Sequence, residues 1–170
     1  MTVARLHHHA YVSRDQEATR AFYEEVIGLR LVATWAEVDE AGGQTKEFVH
    51  TFFELDDGSA LAFFQFADAE DQEAHTPQSG LNPYVHVALS VDEAGQKEIG
   101  ERLTAVGQEP LVINHGYCTS MYCTDPNGLL LEFTVDHPDV ATIDKIRRDR
   151  AHDDLARWLA GDHTSNNDWR

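Results

Sequence analysis

The hydrophobic pattern changes period several times along the chain, and each change marks an element. "RLHHHAYVS" alternates as a short strand does. In "RDQEATRAFYEEVIGL", which follows it, Ala18, Phe22 and Val26 recur at four-residue spacing and so share one face of a helix. Asp15 or Ser13 is placed to cap its start, and Gly28 to supply a left-handed end. Three strands come next, "LRLVATWAEV", "TKEFVHTFFEL" and "ALAFFQFA", the last two joined by the turn "DDGS".

"DAEDQEAHTPQSGLNP" concentrates charge, Gly and Pro without any period and reads as a linker or mobile loop. The order of elements then repeats. "YVHVALSV" is a strand, and "DEAGQKEIGERLTAVG" a helix opened by a Ser90–Glu93 capping box and ended by Gly107. "EPLVINH", "TSMYCTD" and "LLLEFTV" are three more strands, the last two split by "DPNG". An internal repeat of about 75 residues follows from this order.

From Pro138 a charged helix has Ile143, Ile146, Leu155, Trp158 and Leu159 as its apolar side and stops near Gly161. It is expected to pack outside the core or on a second chain. "HTSNNDWR" after it has no pattern and is expected to be loosely held. The fold class is α+β, with module one at 5–67, a linker at 68–82 and module two at 83–137, all in a single domain 1–137; helix and tail occupy 138–170.

A chain of 170 residues with 42% hydrophobic content suffices for one compact domain. Thirty acidic against 13 basic residues give a formal charge of −17, a field that repels nucleic acid and anionic membranes. No apolar run approaches ~18 residues, and the N-terminus lacks a basic-then-apolar signal, so no export or membrane insertion is expected and the cytoplasm is the expected location. Cys118 and Cys123 lie five apart on one strand, on opposite faces, and are expected to be small buried or half-buried residues without a disulfide.

Polar residues on apolar strands carry the chemistry. In "YVHVALSV", Val85, Val87, Leu89 and Val91 share a face, while Tyr84, His86, Ala88 and Ser90 share the other; small residues around one imidazole suggest a hollow. In the last strand Leu130, Glu132 and Thr134 oppose Leu129, Leu131, Phe133 and Val135, so Glu132 faces either such a hollow or, on an edge, solvent. A buried carboxylate is costly unless paired or metal-bound. Among the consecutive histidines, the best match to His86 is His8, with His9 its competitor. Two imidazoles and one carboxylate form a set that covers one face of a divalent ion and leaves about three positions open.

With "AFYEEVIGL" and "DPNGLLLE" in this order, the chain resembles the vicinal oxygen chelate superfamily over residues 5–136. That superfamily includes glyoxalase I, bleomycin resistance proteins, fosfomycin-modifying thiol transferases and extradiol dioxygenases. The resemblance implies paired βαβββ modules curled into a barrel around a metal, with His8, His86 and Glu132 at the metal positions. In the superfamily the histidine precedes the helix-start aspartate by seven residues, which from Asp15 selects His8.

Extradiol dioxygenases are marked by a histidine, a short gap, an apolar residue followed by tyrosine, an acidic-Pro-x-Gly turn and the glutamate ligand. Here stand His115, Met121-Tyr122, Asp125-Pro126-Asn127-Gly128 and Glu132. The chain departs from many family dioxygenases in having a single pair of modules. The resemblance implies an Fe(II)-dependent dioxygenase that cleaves a small catechol-like aromatic with O₂, acting as a homodimer. His115 would be its acid and base, and Tyr122 would donate a hydrogen bond to an oxygen held on the metal.

The alternative is a glyoxalase-like or thiol-transferase-like enzyme using Mn(II), Ni(II) or Zn(II), in which Gln65 supplies a further ligand; a metal-free resistance protein that binds a small molecule is a second alternative. Phenylalanines of "FVHTFFEL" and "LAFFQF" are expected to line the site in part, whereas His50 and His75 are expected to be incidental and His137 to belong to a turn.

Overall fold

The computed structural model describes residues 3–41, 44–77 and 82–169. The chain divides into two units, Met1–His86 with Thr124–Leu130, and Val87–Cys123 with Leu131–Arg170. Residues 78–81 of the expected linker lie outside the described residues.

The first unit runs β1 (His8–Val12), α1 (Gln16–Ala21), a π-helical continuation (Phe22–Ile27), β2 (Arg30–Ala41), β3 (Gln44–Glu54) and β4 (Ala60–Phe66). Its sheet has the order β1-β4-β3-β2, with β1 parallel to β4 and the other neighbours antiparallel. Asp15 caps α1, its side chain accepting from the backbone N–H groups of Glu17 and Ala18. Gly28 ends the continuation at φ 95°, a left-handed conformation that needs no Cβ. The fully buried Tyr23 packs its ring 5.2 Å from Phe53 and 4.9 Å from Phe63, fixing the helix on one face of the sheet. Each such buried side chain contributes about 1.5–3 kcal/mol.

The "DPNG" turn belongs to this unit although it joins two strands of the other. Asp125 is buried and accepts from the backbone N–H groups of Asn127 (2.8 Å) and Leu129 (2.7 Å) and from the Tyr23 hydroxyl (3.1 Å). Asn127 accepts from the Arg14 backbone and donates to the Thr19 hydroxyl. The motif therefore works as a plug on the start of α1. Burial pushes the Asp125 carboxyl above the usual carboxylate range.

The linker, expected to be irregular, holds a short helix, α2 (Ala69–His75). Asp68 caps it, and Gln72 accepts from the Phe66 backbone N–H while donating to the Ser13 carbonyl, so side-chain bonds hold a segment that has no apolar period.

The second unit repeats the plan: β5 (Val87–Ser90), α3 (Glu93–Ala105), β6 (Leu111–Asn114), β7 (Cys118–Thr124) and β8 (Leu130–Asp136), in the order β5-β8-β7-β6. The strand expected from Tyr84 begins only at Val87, and Tyr84, Val85 and His86 lie exposed in the turn before it. The expected Ser90–Glu93 box is replaced by Asp92, which accepts from Gly95 N–H. Gly100 lets α3 approach β7, since a Cβ there would meet Met121 Sδ at 3.2 Å. Both cysteines are buried thiols outside any disulfide among the described residues. The C-terminal helix is α4 (Val140–Leu159); of its expected apolar side Ile143 is buried, but Leu155, Trp158 and Leu159 are exposed. Among the described residues no helix is long and apolar enough to cross a membrane.

Candidate functional site

Alternation along β7 and β8 sends Met121, Leu131 and Phe133 into the core beneath α3 and leaves Ser120, Tyr122, Glu132 and Thr134 on the opposite face. On that face Tyr122 Oη donates to Glu132 Oε1 at 2.8 Å, and His115 Nε2 stands 2.9 Å from the same phenolic oxygen. A phenol has one proton. With that proton on Glu132, His115 must donate from Nε2, which leaves the Nδ1 lone pair as the basic atom of a neutral ring. Burial and the bond to Glu132 raise the Tyr122 pKa to about 12, so it stays a donor near neutrality. Tyr122 thus directs its hydrogen to the carboxylate, where the sequence suggested an oxygen on the metal as its acceptor.

Glu132 is only 8% exposed. Its neighbour on β5 is Ala88, a residue with a small side chain. His115 sits in the turn between β6 and β7, where its backbone N–H donates to the Cys118 carbonyl and Gly116 adopts φ 86°.

In the first unit the register puts His8, Ala60 and Ala62 on the same sheet face as His50, Phe52 and Phe64. The His8 ring lies 5.9 Å from His50 and 5.4 Å from Phe52, and His50 stacks on Phe64 at 3.7 Å. Phe48 and Phe66 extend this aromatic face, whereas Phe53 and Phe63 serve the core under α1. His9 is on the reverse face, stacked on Tyr11 at 4.5 Å, so of the two competing histidines His8 is the one beside the aromatic face. His50, expected to be incidental, is buried, and its Nε2 has no hydrogen-bond partner among the described residues; burial and the neighbouring His8 lower its pKa. The alternation Phe48, His50, Phe52 was the available signal.

The repeat identifies equivalent positions. Ala88 pairs with Glu132, which Tyr122 faces; Ala10 pairs with Ala62, which Phe52 faces. His8 and His86 each stand two residues before the matching alanine. Module one therefore has Ala62 where module two has Glu132. Gln65 is on the helix side of its strand, where its Oε1 accepts from Gln16 N–H at 2.8 Å. His86 is exposed, with Nδ1 3.3 Å from the Pro83 carbonyl. His75 lies against Phe66, and His137 receives the Asp139 N–H in the turn before α4. Among the described residues, no three His, Cys, Asp or Glu side chains are grouped so as to hold a metal ion.

Solved structures share this fold at low identity. A glyoxylase/bleomycin resistance protein/dioxygenase domain from Frankia sp. EAN1pec aligns with a TM-score of 0.60 and 15% identity, covering 81% of this chain and 95% of that one. The fosfomycin resistance protein FosX from Listeria monocytogenes gives 0.57 and 18%, covering 82% and 98%. The oxidase ChaP-H2 gives 0.56 and 19%, covering 81% and 96%. A search of curated proteins gives no match. The model of the Glyoxalase/Bleomycin resistance protein/Dioxygenase superfamily matches residues 5–133, most of the chain, and its βαβββ repeat is the one seen here. The chain belongs to that superfamily.

Proposed function

We propose that the chain is a metal-dependent, extradiol-type dioxygenase that cleaves a small catechol-like aromatic with O₂, with His8, His86 and Glu132 holding the ion. Fe(II) is the proposed metal, and a homodimer in the cytoplasm the proposed setting. The observation that supports this reading is the hydrogen-bonded chain from His115 through Tyr122 to Glu132. Two imidazoles and a carboxylate are donors suited to an octahedral divalent ion. Glu132 fits such a role, being buried, oriented through Oε1 by Tyr122 and flanked by Ala88.

When bound, the ion would bring vicinal substrate oxygens and O₂ together. The side chains of the protein do the rest. Tyr122 fixes the carboxylate rotamer, as partners of metal ligands do. His115, tied to Tyr122 through Nε2–H, presents Nδ1 as the atom that accepts a substrate hydroxyl proton. The aromatic face of Phe52 and Phe64 suits a planar apolar ring.

Oxygen uptake with a panel of catechols, on protein prepared anaerobically with Fe(II), tests the reading. His115→Ala is expected to keep the metal and lose ring cleavage; unchanged turnover in that variant rules out the role given to His115. A second reading, oxygen-independent chemistry, is favoured by one finding: FosX, of the same fold, has a structure complexed with Mn(II) and sulfate. Metal-dependent turnover without oxygen uptake would establish it instead.

A further inference from the structure

The geometry points to Asn167, near the C-terminus, as a positioning residue for His115; the inference rests on the reading of His115 as the proton-transfer residue. The turn at residues 115–117 is attached to the segment that follows β8 at three points. The His115 carbonyl accepts from Asn167 Nδ2 at 2.9 Å. The Tyr117 carbonyl accepts from the His137 backbone N–H at 3.1 Å. The Tyr117 ring lies under the Arg147 guanidinium, 3.9 Å from its centroid.

The tail reaches this place by a defined route. Gly161, at φ 93°, turns the chain at the end of α4. Arg157 then grips the returning strand of chain, pairing with Asp162 at 3.2 Å and donating to the Thr164 carbonyl at 2.9 Å. Residues 166–169 thereby come back alongside α4 and, with Tyr117 and Arg147, line a cavity of about 130 Å³. The Trp169 backbone N–H donates to Asn167 Oδ1 at 3.3 Å, which sets the amide so that Nδ2 faces the His115 carbonyl. A segment that its sequence marks as loosely held is thus ordered against the turn that carries the imidazole.

The consequence concerns orientation. Gly116 gives the turn a hinge, and the peptide between His115 and Gly116 is held on both sides, its N–H donating to Asn114 Oδ1 at 2.7 Å and its carbonyl accepting from Asn167, so that without Asn167 it can pivot about the Asn114 bond. A tilt swings the ring away from Tyr122 and breaks the 2.9 Å contact. Asn167 touches no reacting atom; its role is to keep Nε2 on the phenol and Nδ1 directed to the substrate side.

The test uses the full chain labelled with ¹⁵N-histidine, with the His115 side-chain signal identified by its loss in His115→Ala. In Asn167→Ala, exchange of the His115 Nε2–H with water is expected to accelerate about tenfold, the scale of one hydrogen bond, with the other histidine signals unmoved. Asn167→Gln, which keeps an amide donor, is expected to restore slow exchange at least in part. An unchanged His115 signal in Asn167→Ala overturns the inference, and so does a general shift of all histidine signals with a lowered Tm, which would mark the tail as merely structural. The readout needs no substrate, so a wild-type protein that consumes no oxygen with catechols would defeat the ring-cleavage proposal while leaving this result standing.

Discussion

The Tyr122 hydroxyl lies between Glu132 Oε1 at 2.8 Å and His115 Nε2 at 2.9 Å, so a single phenol joins a basic side chain to a buried carboxylate. Tyr122→Phe removes both bonds with little change of shape. If Glu132 holds a metal, its affinity is expected to fall by about 10- to 100-fold, the usual effect of losing a partner of a ligand. Fe(II) or Mn(II) titration of the two proteins, with circular dichroism to confirm the fold, checks this; equal affinities would detach Tyr122 from any metal role.

The same phenol and Tyr11 predict an alkaline limb of stability. Burial and the Asp125 charge raise Tyr11 to about 12, and burial and the Glu132 bond raise Tyr122 to about 12, from an ordinary 10.0. Both folded values exceed the unfolded one, so the folded state retains protons that the unfolded chain has lost. Their stabilising contribution is complete below pH 10 and is lost as pH rises towards about 12. Urea unfolding at about pH 9 and 11 is expected to show a smaller loss in Tyr11→Phe than in the wild type. Identical losses would mean that the Tyr11 phenol is not held protonated by the fold.

His50 presents a different trade. Its Nε2 is buried without a hydrogen-bond partner among the described residues, while its ring stacks on Phe64. An unsatisfied buried polar atom costs about 1–3 kcal/mol, and phenylalanine preserves the stacking. His50→Phe is therefore expected to stabilise the fold by about 1 kcal/mol. Denaturant midpoints measure it. A destabilised variant would show that the nitrogen has a partner, such as ordered water, in solution.

Much of the fold was legible because periodicity and turn residues report local physics. The two βαβββ passages, the Asp15 cap and the left-handed Gly28 follow from side chains within a few residues of where they act. What was not legible depended on contacts distant in sequence. α2 has no apolar face and stands on bonds from Gln72 to Phe66 and Ser13. The apolar side assigned to α4 ends after its first half: Leu155, Trp158 and Leu159 are exposed, although the His163 ring packs 4.1 Å from Trp158.

At the candidate site, spacing singled out His115, Tyr122 and Glu132, and the fold joins these three by hydrogen bonds. It missed the direction of the Tyr122 proton, since alternation gives a face but not a partner. Gln65 is set apart by parity: its neighbours Phe64 and Phe66 face His50 and Phe48, and one step along the strand turns Gln65 to α1.

The three candidate ligands in the first module, His8 or its competitor His9 and the further ligand Gln65, give one comparative experiment. His8 faces His50 and Phe52, His9 stacks on Tyr11 on the reverse face, and Gln65 bonds Gln16 N–H beneath α1. If His8 holds the metal, His8→Ala is expected to lose it while His9→Ala and Gln65→Ala retain it. Gln65→Ala should instead lower stability by about 1 kcal/mol, the cost of leaving a helix-start N–H without its acceptor. Metal content after desalting and denaturant midpoints, measured on all three variants, separate these effects. Metal retained in His8→Ala but lost in His9→Ala would require β1 to present its other face, a one-residue slip against β4 that also exposes the Tyr11 ring now packed near Phe63.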